Sequence, residues 1–140
     1  MGKAGEGPRP VLVVDDDSEM RRVLADFLRG EGFRVDQAGD ADEAMRRVGD
    51  TRYAGVILDN HLPGESGLDA LPRLRSLAPA LPIILITTIG DERLFEMAFA
   101  RGAYDLLFKP FSLDDLVEVL RSAVAHAASG ASGLETGDGA

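Results

Sequence analysis

Five short apolar runs alternate with five segments of helical spacing along this chain, and that alternation leaves few folds open. VLVV at 11–14 is an unbroken β-branched and leucine run, as expected of a strand covered on both faces. In SEMRRVLADFLRGEGF, which follows it, Met20, Val23, Leu24, Phe27 and Leu28 share one helical face, and Gly30 and Gly32 supply stop signals. RVDQA, VILD, PIILIT and DLLF repeat the strand pattern, and ADEAMRRVGD, GLDALPRLRSL, DERLFEMAFARG and SLDDLVEVLRSAVAHA repeat the helical one. Strands separated by helices of about ten or more residues need crossover connections, which place helices on both faces of a parallel sheet. The expected class is therefore α/β, a doubly wound five-stranded parallel sheet with five flanking helices. Pro72 falls inside the third helical segment and is expected in its first turn, where a missing N–H is tolerated. Ser112 with Asp115 resembles a capping box with the shorter acid and marks the start of the last helix.

A length of 140 residues suits one domain with one core. Its expected limits are 10–128, after a flexible N-terminus at 1–9. Residues 129–140, SGASGLETGDGA, are small and polar, which predicts a flexible tail or the stump of a linker. A net charge of -9 opposes direct binding to nucleic acid by this domain, because such contacts rely on lysine and arginine. The absence of cysteine excludes thiol catalysis and disulfides. No apolar stretch approaches the roughly 18 residues that cross a bilayer, and MGKAGEGPRP lacks the apolar core of a signal peptide. The chain reads as soluble and cytoplasmic, without a membrane partner.

In an open parallel sheet, ligands bind beyond the carboxyl ends of the strands. Asp15, Asp16, Asp59, Thr87 and Lys109 all stand at such ends. Carboxylates gathered there repel one another, and a cation or raised pKa values must relieve that cost. All-oxygen ligands of this kind favour a hard ion, with Mg²⁺ the natural choice. A lysine and a hydroxyl beside them complete what phosphoryl transfer requires, since that reaction depends on positioning and on charge stabilisation. Asp59, alone at a central strand end, is the candidate acceptor, and Asp15 with Asp16 the candidate metal pair. Asp17 belongs near the start of the first helix instead.

Taken together and in order, these residues closely resemble the receiver domain of two-component response regulators, of the chemotaxis-receiver and NtrC-like kind, over residues 10–128. The resemblance implies a flavodoxin-like sheet in strand order 2-1-3-4-5. It implies that Asp15 and Asp16 are the acidic pair, Asp16 being the more direct Mg²⁺ ligand, and that Asp59 is the phosphoacceptor. It further implies that the backbone carbonyl of His61 is a third protein ligand, that Pro63 and Gly67 shape the HLPGESG loop, and that Thr87 is the switch hydroxyl. Lys109-Pro110-Phe111 matches the family's Lys-Pro-Phe, whose X-Pro bond is usually cis, a form seen in about 5–6% of such bonds. The implied donor is a sensor histidine kinase or a phosphotransfer protein. The implied output is a downstream protein or a fused effector domain, reached through the surface of the fourth helix, fifth strand and fifth helix, with a phosphorylation-dependent homodimer as one form of it. The chain is then a phosphoacceptor that takes part in its own phosphorylation and dephosphorylation, not a turnover enzyme.

Several positions depart from that family pattern. Leu106 stands where an aromatic commonly reports the state of the threonine. Thr88 replaces the usual alanine and is expected to crowd the phosphoryl pocket. Ile89 is expected to shield the phosphoryl group from water. The His61 ring reads as an exposed loop side chain, with orienting water as its competing role, and His126 carries no assigned function. Leu94, Phe95, Met97 and Phe99 stripe the fourth helix more broadly than one buried face needs, so most are expected in the core and the rest at the output surface. A haloacid-dehalogenase-like Mg²⁺-dependent phosphatase is the alternative, with Asp15 and Asp17 as its acid pair, but it leaves Asp59 and Lys-Pro-Phe unexplained.

Overall fold

The computed structural model describes residues 8–88 and 92–137, with side chains through Ala128. Five strands, β1 (Val11–Val14), β2 (Val35–Ala38), β3 (Gly55–Asp59), β4 (Ile83–Thr87) and β5 (Asp105–Phe108), pair in parallel in the order β2-β1-β3-β4-β5. The helices between and after them are α1 (Ser18–Gly30), α2 (Ala41–Asp50), α3 (Gly67–Leu77), α4 (Glu92–Ala100) and α5 (Leu113–Gly137). The doubly wound class and the strand order are thus both as expected. Strand order reverses between β1 and β3, so the carboxyl ends of these two neighbours open onto the crevice where such sheets bind ligands.

Side-chain alternation divides the core in two. Leu12, Val14, Val56, Leu58, Ile83, Leu85 and Leu106 point to the face covered by α2, α3 and α4. Val11, Val13, Ile57, Ile84 and Ile86 point to the face covered by α1 and α5. Both sides of β1, β3 and β4 are buried, which explains their lack of polar alternation.

Helix starts follow capping chemistry. Asp17 Oδ1 accepts the Glu19 and Met20 N–H groups at the head of α1, and Asp40 accepts that of Glu43 at α2. Ser66 accepts that of Asp69 at α3, and Ser112 that of Asp115 at α5. Gly32, with φ of 98°, turns the chain out of α1 in the left-handed region that favours glycine.

Pro72 does not fall in the first turn of α3: the helix begins at Gly67, which puts the proline one turn deeper. Its ring nitrogen cannot bond the carbonyl of Leu68 four residues back. Arg101, beyond the end of α4, supplies the missing donor, its Nη1 lying 3.0 Å from that carbonyl and 3.1 Å from Asp69 Oδ1. The backbone of α5 is helical to Gly137.

Candidate functional site

The carboxylates converge as their strand ends demand. Ligand oxygens of Asp15, Asp16 and Asp59 all lie within 4.8 Å of one another. Asp15 and Asp59 are each only 3% exposed, whereas Asp16 faces solvent. Burial pushes the Asp15 carboxyl up to about 6, with the negative charge of Asp59 adding to the rise; the Asp17 N–H and the Lys109 ammonium oppose it. Such crowding of buried anions is the state a cation relieves, and the donor set of hard oxygens suits a small divalent ion.

The Asp59 carboxylate is held from two sides. Lys109 Nζ donates to Oδ2 at 3.4 Å, and the His61 N–H donates to Oδ1 at 3.2 Å. Lys109 reaches it because β5 ends there, and its own N–H donates to the Thr87 carbonyl at 2.8 Å. The Lys109–Pro110 peptide bond is cis. Thr87 is fully buried at the end of β4.

The loop after Asp59 is tied down by a residue whose sequence carries no warning of it. Asn60 donates its N–H to the Ile86 carbonyl, accepts the Gly67 N–H on its own carbonyl, and caps Leu68 N–H with its side-chain oxygen at 2.9 Å. Gly67 must lack a side chain: a Cβ there would lie 2.5 Å from the Asp59 carbonyl oxygen. The loop is consequently pressed against the strand end that carries the candidate acceptor.

Thr88 is exposed, with its Oγ1 3.1 Å from His61 Nε2. The His61 ring is thereby given a partner across the mouth of the site, between the loops that follow β3 and β4. Leu106 is buried in the core cluster with Leu85 and Ala98, beneath α4. Ile89 lies outside the described residues. Of the α4 stripe, Leu94 and Met97 pack against the core, while Phe95 and Phe99 are 43% and 39% exposed with ring centroids 4.9 Å apart in an edge-on pair.

Asp17 contributes nothing to the cluster, because its carboxylate is spent on the head of α1. The phosphatase alternative needs that second acid and does not have it.

Comparison with known proteins agrees with this geometry. Residues 11–121 match the family described as the response regulator receiver domain. The chain is 36% identical over 114 residues to the C4-dicarboxylate transport transcriptional regulatory protein DctD of Rhizobium meliloti, covering 81% of this chain and 25% of that protein. It is 37% identical over 122 residues to the probable transcriptional regulatory protein TcrX of Mycobacterium tuberculosis, covering 87% of this chain and 52% of the other. The chain thus spans between a quarter and about half of these relatives. A response regulator protein from Burkholderia pseudomallei, solved with a phosphorylated aspartic acid, calcium ion and citrate, superposes with a TM-score of 0.77 at 27% identity, covering 86% of this chain and 71% of that one.

Proposed function

Since the chain belongs to the family of response regulator receiver domains, we propose that Asp59 is its phosphoacceptor and that Asp15, Asp16, Asp59 and the His61 backbone carbonyl hold Mg²⁺. The observation that carries this reading is the contact between Lys109 Nζ and Asp59 Oδ2 at 3.4 Å, beside two further carboxylates within 4.8 Å. When bound, the ion supplies charge neutralisation for the carboxylates and for the phosphoryl oxygens. In the transfer, an Asp59 carboxylate oxygen forms the new bond to phosphorus as the bond to the donor imidazole nitrogen of a histidine kinase or phosphotransfer protein breaks. Lys109 stabilises the equatorial oxygens. Hydrolysis of the acyl phosphate later returns the free carboxylate and inorganic phosphate.

The acyl phosphate brings roughly 1.5 to 2 negative charges to a site that already holds Lys109. In this reading Thr87 supplies the hydroxyl that meets them, and its movement passes to α4 through the core cluster that Leu106 and Ala98 share, with no aromatic ring involved. The surface of α4, β5 and α5, with Phe95 and Phe99 exposed on it, is the output face, offered to a downstream protein, a fused effector domain or a second copy of the chain. Incubation with acetyl phosphate and Mg²⁺, read by intact mass, tests the reading. One phosphoryl adduct is expected on the native chain and none on Asp59→Asn; an unchanged native mass, or equal adduct on the variant, defeats it.

A further inference from the structure

Three consecutive aspartates in one short loop repel each other, yet the loop after β1 must present two of them in a fixed direction. Asp17 is spent as a helix cap, and Asp15 Oδ1 accepts the Asp17 N–H at 3.0 Å. The peptide that joins Asp15 to Asp16 is fixed by a different group. Arg21 lies one turn into α1, and helical side chains lean toward the N-terminus of their helix. Its Nη1 donates to the Asp15 carbonyl at 2.7 Å, and its Nε donates to Gln37 Oε1 on β2 at 3.1 Å. The same guanidinium packs over Gly39, where a Cβ would come within 3.3 Å of Nη1. The Asp15 N–H meanwhile donates to the Ala38 carbonyl at 3.1 Å.

Asp15 is therefore held by β2 on its amide side and by Arg21 on its carbonyl side. Fixing that carbonyl fixes the peptide plane from which Asp16 departs, and Asp16 is the exposed member with the least packing of its own. The planar guanidinium fork suits this task because its two donors are rigidly spaced, which a lysine cannot reproduce. Its bond goes to a backbone oxygen, so the carboxylate oxygens stay available to a cation.

We infer that Arg21 is a positioning residue for the divalent cation: by clamping the Asp15 carbonyl to β2 it aims the Asp15 and Asp16 carboxylates at the ion. This rests on the reading of the acidic cluster as a Mg²⁺ site. Groups that orient metal ligands without touching the metal typically govern 10- to 100-fold in affinity.

The test uses the whole 140-residue chain. Mg²⁺ is titrated into native, Arg21→Ala, Arg21→Lys and Gln37→Ala proteins by calorimetry, with circular dichroism as the check on folding. Acetyl phosphate labelling is then followed at limiting and at saturating Mg²⁺. Arg21→Ala is expected to raise the Mg²⁺ Kd by about tenfold or more, with Arg21→Lys and Gln37→Ala at roughly threefold. At saturating Mg²⁺ the labelling rates of folded variants should return to near native, a split that general loosening of the fold would not produce. Should Arg21→Ala not fold, the lysine and Gln37 variants decide the matter by the same split. A native-like Kd in folded variants overturns the inference, as does a loss of rate that saturating Mg²⁺ does not repair. Absence of Mg²⁺ binding by the native chain overturns the parent reading and this one with it.

Discussion

Helices α3 and α4 both begin just past a strand end that carries the site, yet they are held very differently. α3 buries Gly67, Leu68, Ala70, Leu71 and Leu74, is capped by Ser66 and Asn60, and has its proline-orphaned carbonyl bonded by Arg101. Among the described residues of α4, only Ala98 is fully buried, and two phenylalanines face solvent. Stability within one domain is uneven, and segments with few buried contacts open at the lowest cost. The acceptor loop is thus set against a rigid wall, while the helix after Thr87 rests on a shallow one. A site of this kind can receive a charge without moving its chemistry and still shift a neighbouring surface.

Four changes would break or sharpen that contrast. The largest effect is expected from Leu74→Ala, which empties a fully buried position of α3 and should cost about 2 to 5 kcal/mol in urea unfolding. Gly67→Ala comes next. Its new methyl meets the Asp59 carbonyl at 2.5 Å, so it should cost about 1 to 3 kcal/mol and slow acetyl phosphate labelling as the loop is pushed off the strand end. Arg101→Ala should cost about 1 kcal/mol by leaving the Leu68 carbonyl without its donor, and supplying a backbone N–H through Pro72→Ala in the same chain should recover most of that loss. Phe95→Ala on α4 should change stability by about 0.5 kcal/mol or less while altering any phosphorylation-dependent self-association seen by light scattering. Equal costs for Leu74→Ala and Phe95→Ala would remove the contrast altogether.

The acidic cluster makes its own demand on pH. The Asp15 carboxyl titrates near 6 in the folded chain against 3.8 ordinarily, so the folded state holds its proton more tightly than the unfolded one. Metal-free stability should therefore fall as pH rises from about 4 to 6 and stay low above that. Asp15→Asn should accordingly raise the thermal midpoint of the metal-free protein at pH 7.5, with the gain shrinking at pH 5. Mg²⁺ affinity of the native chain should weaken below about pH 6, because the ion competes with that proton.

Much of this was legible from residue order. The change from short unbroken apolar runs to apolar positions three and four apart located the five strands and the starts of the five helices to within a few residues, because burial on both faces removes polar side chains locally. Asp59, Lys109 and Thr87 could be placed at strand ends for the same reason. The pairing of Thr88 with His61 was not legible, since it joins two loops that lie 27 residues apart in the chain. Pro72 was expected a turn too early although the segment's start at Gly67 was legible; what makes a deeper proline tolerable, the Arg101 donor to the Leu68 carbonyl, comes from beyond another helix.

By itself, then, the amino-acid order determined the layered parallel sheet and the set of oxygens and the Lys109 ammonium at its carboxyl edge. Those follow from periodicity and from chain direction, both properties of neighbouring residues. Only the tertiary structure decided what holds the set in place: Arg21 on the Asp15 carbonyl, Asn60 across the acceptor loop, Arg101 on the carbonyl that Pro72 leaves open. Each of these bonds ends on a main-chain atom or crosses between elements, and a backbone carbonyl looks the same at every position of a sequence. Which one a guanidinium finds is set by how the helices pack.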